Sequence, residues 1–202
     1  MSAQEHKEAT TLWLENSDMR EFLPGFVPDK AVLLKHLPTD ASVYTWLPAH
    51  VARDEDVMRQ ALAGDPKLIP YVVQHASAAM YKVGKVKDLI LLAVSRGNPE
   101  AVLQIQHLPD SKQKSAFVEA LMLDGQVYKW MYPPSNFDDS EDGFDQDVEM
   151  PSQAECLVLA YQTYPDVIQF VNPGLRAKVE QLGDKFAQHV KLMASAICAQ
   201  YK

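Results

Sequence analysis

The chain has 202 residues, 47% of them apolar and 23% charged, which is enough to bury a sizeable core without a metal or disulfide staple. This balance excludes a mostly disordered chain, and no apolar run approaches the roughly 18 to 20 residues of a membrane span. The formal net charge is −8, with no basic stripe or arginine cluster, which argues against direct binding to DNA or RNA.

Residues 1–20 show neither a basic start nor an apolar stretch, so no secretory leader or membrane anchor is expected. Cys156 and Cys198 each stand alone in an apolar stretch. They can pair in principle, but free thiols in a reducing, cytoplasmic setting are the favoured reading.

In chain order, residues 4–16 form an amphipathic helix, and Ser17 is placed to cap a short helix over 18–23 before Pro24-Gly25. Asp29 and Asp54 then cap helices over 30–37 and 55–63. From Asp40, the positions at +3, +4, +6 and +7 are Val43, Tyr44, Trp46 and Leu47. The same offsets from Asp65 give Leu68, Ile69, Tyr71 and Val72, and from Asn98 Ala101, Val102, Gln104 and Ile105. From Asp124 they give Val127, Tyr128, Trp130 and Met131, and from Tyr164 Val167, Ile168, Phe170 and Val171. A second apolar stripe precedes each turn, as at Leu33/Leu37, Phe117/Ala120 and Leu157/Ala160.

These are five degenerate copies of one helical hairpin, because offsets of three, four and seven share a helical face. Four of the five turn residues are good N-caps, and Pro66, Pro99 and Pro165 follow at the first helical position. Gly64 and Gly97 are expected to end first helices in the left-handed region. At the C-terminal end, helices over 175–182 and 184–200 are separated by Gly183, with Phe186, Val190, Met193 and Ile197 on the inner face.

No segment alternates with period two, so the expected fold is all-α: a short α-solenoid of stacked hairpins with capping helices. The expected organisation is one domain. It comprises an N-terminal cap over 1–27, repeats one to four over 28–132 and an acidic insertion over 133–150. Repeat five follows over 151–173, and C-terminal capping helices over 174–202.

From Asp29 to Tyr71 the chain resembles the tandem repeats of the bacterial family called domain of unknown function 4116. The resemblance is carried by Asp29 followed by apolar Val32 and Leu33, the turn at Asp40, the aromatic Trp46, and a new copy at Asp54 after 25 residues. It is good over 29–75 and loose beyond. It implies a helical-repeat fold, and it transfers no catalytic residue.

The charge is concentrated. Residues 136–150 hold Asp138, Asp139, Glu141, Asp142, Asp145, Asp147 and Glu149 with no base, so the remainder of the chain carries only −1. Residues 138–149 match several ligand positions of a twelve-residue calcium loop, with Asp138, Ser140, Asp142 and Glu149 as oxygen donors and Gly143 at the turn. Asp145 at the normally aliphatic eighth position and the flanking Pro133-Pro134 and Pro151 argue against it. No metal site or cofactor is therefore assigned, and a calcium-responsive module remains the alternative.

The six histidines are scattered singly, and no nucleophile elbow or phosphate-cradling glycine loop occurs. A site built on His50, Asp54 or Asp56 is a minor alternative, and the chain is expected not to be an enzyme. The aromatics at +4 and +6 are expected to pack in the core. Tyr132 and Phe137, outside the template, are candidate anchors beside the seven acids. The expected function is binding of a basic protein partner, as an inhibitor, an immunity protein or an effector, with no membrane or nucleic-acid contact.

Overall fold

The computed structural model describes residues 2–132 and 151–201. Among them every regular element is helical, so the protein is all-α. The chain divides into two compact units, Met1–Arg96 and Gly97–Lys202.

The first unit contains α1 (Ala3–Glu15), α2 (Ser17–Phe22), α3 (Lys30–His36) and a 3-10 segment at Ala41–Trp46. After α4 (Ala49–Ala52) and α5 (Glu55–Gly64), a 3-10 turn at Pro66–Leu68 runs into α6 (Ile69–His75), followed by α7 (Ala78–Val83) and α8 (Lys85–Ser95). The second unit begins with a 3-10 segment at Pro99–His107, then α9 (Asp110–Leu123) and α10 (Val127–Met131). It ends with α11 (Gln153–Tyr161), a 3-10 segment at Pro165–Phe170, α12 (Pro173–Leu182) and α13 (Asp184–Gln200). The boundary between the units falls inside the third sequence copy, at Gly97, whose φ of +86° is the left-handed conformation expected there.

Short polar side chains start these elements. Ser2 and Glu5 form a capping box on α1, Asp29 accepts from the Val32 N–H, and Asp54 accepts from the N–H groups of Asp56 and Val57. Asn16, not Ser17, caps α2: its Oδ1 accepts from Asp18 and Met19, which places Ser17 inside the helix.

The turn residues behave alike. Asp40 Oδ1 accepts from the Ser42 N–H at 3.2 Å, Asp65 Oδ1 from Lys67 at 2.9 Å, and Asp124 Oδ1 from Gln126 at 2.9 Å. Asn98 and Tyr164 make no such cap bond. The second legs differ from expectation: four of them start or run as 3-10 helix, and only α10 is α-helical from its first residue. Three of these runs have six, nine and six residues, longer than the three or four usual for a 3-10 helix.

The core follows the two stripes. Leu33, Leu37, Val43 and Tyr44 bury together with Val57, Met58, Ala61 and Leu62 in the first unit. In the second, Phe117, Ala120, Leu121, Val127 and Tyr128 bury with Leu157, Ala160 and Val167. Trp13 is 1% exposed, packs against Phe26 and donates its indole N–H to the Leu23 carbonyl at 3.2 Å, which fixes α1 as expected. On α13 the buried face is Phe186, Val190, Ala194 and Ile197. Met193 is 40% exposed, because the four-four-three step of an α-helical seam passes through position 194 instead.

An ion-pair network ties α3 and α8 to the start of α5. Lys30 Nζ donates to Asp54 at 2.8 Å and to Asp56 at 2.9 Å, while Glu55 accepts from Lys85 and, at 3.1 Å, from Arg59. Lys30 holds the Asp54 carboxyl below its usual range against the opposing effect of burial, and Lys85 does the same for Glu55. A carboxylate depressed in the folded state stabilises above its ordinary pKa and loses that stabilisation as pH falls through the lowered value. The melting temperature of the first unit is therefore expected to fall as pH drops below about 4, the ordinary carboxyl range. Lys30→Met should lower it only modestly at pH 7, since the pairs are solvent-screened. The difference between variant and wild type should shrink at the acid end, and thermal melts across that range check both signs.

Candidate functional site

The repeat register separates core from surface. Positions +3, +4 and +7 from each turn are buried in nearly every copy, whereas +6 is not. Trp46 is 38% exposed, Tyr71 51% and Trp130 39%, and Gln104 and Phe170 are half-buried. The expectation that the +6 aromatics pack in the core is corrected for those three. In α10, at about 100° per residue, +3, +4 and +7 share one arc and +6 lies about 110° from its centre. In the 3-10 copies at Ala41–Trp46 and Pro165–Phe170 it is the last residue of the segment, and the extended residue after it, Leu47 or Val171, turns inward instead.

In the last copy the +6 ring meets a cation. The Lys129 ammonium lies 4.5 Å from the Tyr164 ring centroid and 4.3 Å from that of Phe170. The two rings stack at 6.3 Å with an interplanar angle of 27°. A charge over the faces of two rings is an attractive arrangement, because the ring quadrupole is negative on its face.

Of the expected partner-binding residues, Phe137, Asp138, Asp139, Glu141, Asp142, Asp145, Asp147 and Glu149 lie outside the described residues, as does the calcium-loop pattern. Tyr132 is described and belongs to the packing. Its ring tilts against Tyr128 at 5.0 Å, and its hydroxyl donates to the Cys156 Sγ at 3.8 Å. Burial pushes the Tyr132 hydroxyl well above its ordinary pKa and raises the Cys156 thiol to about 12. Cys156 is consequently an unreactive buried thiol, and Cys198 is a half-buried free thiol.

An open groove of about 290 Å³ lies between α9 and the end of α13, lined mainly by Val118, Met122, Leu123, Cys198 and Tyr201. The Tyr201 hydroxyl leaves it to donate to the Glu155 carboxylate at 3.1 and 3.2 Å, and Lys114 stands 4.7 Å over its ring. Burial opposes ionisation of Glu155. The Ser152 hydroxyl and N–H, Tyr201 and Lys114 together outweigh it and hold the carboxyl below its usual range. Because Glu155 also closes the capping box of α11, Glu155→Ala is expected to cost the second unit about 2 kcal/mol, read as a lower urea midpoint.

The groups considered for catalysis do not converge. Asp54 and Asp56 are occupied by Lys30 and by the α5 N-terminus, and His50 is exposed on α4. Among the described residues no three His, Cys, Asp or Glu side chains are placed to hold a metal, and no described helix is long and apolar enough to cross a membrane. No protein-family model matches the chain, and neither a curated protein nor a solved structure matches it. The residues that sequence reasoning misassigned are the exposed +6 aromatics. The signal for them was Gln104, a polar side chain at the same position in the third copy.

Proposed function

We propose that the chain is a non-enzymatic protein-interaction module, a short α-solenoid of stacked hairpins that binds a basic protein partner. The observation that carries this reading is the exposure of a large aromatic at one repeat position, at Trp46, Tyr71 and Trp130, beside the buried +3, +4 and +7 set. Aromatics at interface centres supply much of the binding energy of protein complexes, and a repeat that needed them for its core would bury them.

Stacking is supported by packing inside each unit: α5 lies against α3 and the Ala41–Trp46 segment, and α9 and α10 against the Pro99–His107 segment. The 25-residue step from Asp29 to Asp54 supports a helical repeat of the domain of unknown function 4116 kind. Charge supports the sign of the partner: Asp138, Asp139, Glu141, Asp142, Asp145, Asp147 and Glu149 give a basic surface a fast, salt-dependent encounter. Inhibition of, or immunity to, a basic bacterial or phage toxin or nuclease fits this chemistry, as does an effector that docks on a host protein.

The test is capture at low and high salt with wild type and with residues 136–150 deleted. A basic protein that is held by wild type at low salt, released by salt and lost with the deletion is the expected result. Retention by the deletion variant would move the binding face to the hairpins. No retention by wild type from source and target lysates would refute the reading.

A further inference from the structure

We propose that Trp130, together with Asp124 at the start of the same hairpin leg, seats an arginine or lysine side chain of the basic partner. The proposal rests on the interaction reading above and assigns the residues that grip. Its basis is a comparison of equivalent positions within the second unit. In the last copy the +6 ring, Phe170, and the residue at the turn, Tyr164, are covered by the ammonium of Lys129, the +5 residue of the copy before. The chain thus supplies its own cation to that ring.

For Trp130 the corresponding +5 residue is Leu103, which has no charge to offer, and the turn position holds the carboxylate Asp124 in place of Tyr164. The Pro99–His107 segment that contains Leu103 packs on α10, and α10 packs on the Pro165–Phe170 segment, so each junction sets one second leg against the next, although the leg that carries Trp130 is α-helical and the one that carries Phe170 is 3-10. Trp130 is 39% exposed. At the register positions that Lys129 and Tyr164 hold for Phe170, Trp130 thus has an uncharged residue and a carboxylate, and its indole is the better ring for a cation.

Charge complementarity selects the occupant. A neutral apolar side chain would gain from the ring but not from Asp124, whereas a guanidinium or ammonium gains from both. In the sequence Trp130 also stands eight residues before Asp138, the first of the seven acids that carry nearly all the net charge, and that charge favours a basic occupant. Trp46 and Tyr71 are the corresponding exposed aromatics of the first unit.

The test uses a fluorescein-labelled hexa-arginine peptide and the full chain at low ionic strength, read by anisotropy. The variants are Trp130→Leu, Trp130→Phe, Asp124→Asn and the deletion of 136–150. Asparagine keeps the cap on the leg while removing the charge. Trp130→Leu should weaken binding about threefold and Asp124→Asn about as much, the size of an exposed cation–π contact or surface ion pair. Trp130→Phe, which keeps a ring, should fall between Trp130→Leu and wild type, an ordering that a mere packing role would not give. If Trp130→Leu and Asp124→Asn both bind as wild type while the deletion abolishes binding, the seat is overturned and the interaction reading stands. If wild type does not bind the peptide at all, both are overturned.

Discussion

Gly125→Ala is expected to destabilise the second unit by about 3 kcal/mol and to lower its melting temperature by more than roughly 10 °C. Gly125 does not need its missing side chain for backbone freedom, since positive φ occurs only at Gly84, Gly97 and Gly183 among the described residues. It needs the space. A Cβ there would overlap the Ala160 carbonyl oxygen at the end of α11 and stand 2.6 Å from the Tyr164 Cβ. Neither obstacle is the far end of a flexible side chain, so two hairpin turns would have to separate. The same separation would break the bond from the Gly125 N–H to Thr163 Oγ1, now 2.7 Å long. Gly64 has the matching role in the first unit, where a Cβ would overlap the Leu37 carbonyl oxygen and stand 3.0 Å from the Ala41 Cβ. Gly174→Ala is the control: in the first turn of α12 its Cβ would meet only Asn172 Oδ1, at 3.6 Å, so it should be neutral or slightly stabilising. Urea denaturation of Gly125→Ala, Gly64→Ala and Gly174→Ala measures the contrast. If Gly125→Ala melts with wild type, the turns are not stacked this closely.

Those glycines mark the limit of what one sequence discloses. Gly64 invites a left-handed helix ending, because a glycine before an Asp-Pro turn is common there. Yet α5 runs through it in ordinary helical geometry, and the reason for glycine is a carbonyl from a hairpin 27 residues earlier. Local chemistry was legible: Asp29, Asp40, Asp54, Asp65 and Asp124 all bond the N–H groups expected of capping residues, because that interaction spans only two or three residues. The apolar offsets +3, +4 and +7 were legible for the same reason. The 3-10 form of the second legs was not, since the two helix types share the capping residue and the i+3 spacing and differ only in how tightly the next turn must fit. The candidate site was the least legible part. A Trp in a repeat pattern reads as core unless its angle on the helix is compared with its neighbours, and a cation over two rings needs residues from two copies.

The sharpest check on that distinction is a pair of substitutions two residues apart. Tyr44→Ala and Tyr128→Ala are each expected to cost about 4 kcal/mol, because both rings are essentially fully buried and their removal adds a cavity to the lost burial. Tyr44 also donates its hydroxyl to the Ala52 carbonyl at 3.0 Å, so Tyr44→Phe alone should cost about 1 kcal/mol by leaving that buried acceptor without its donor. Trp46→Ala and Trp130→Ala remove larger side chains, yet each should cost less, about 2 kcal/mol, because over a third of each residue is already in water. A chain that tolerates loss of the larger ring and not the smaller one keeps the larger for something other than folding. Chemical denaturation of the four alanine variants gives the comparison directly. If Trp130→Ala proves as costly as Tyr128→Ala, the +6 aromatics are core residues and the interaction surface built on them fails. If the costs separate as expected, binding measured with Trp130 variants reports recognition rather than unfolding.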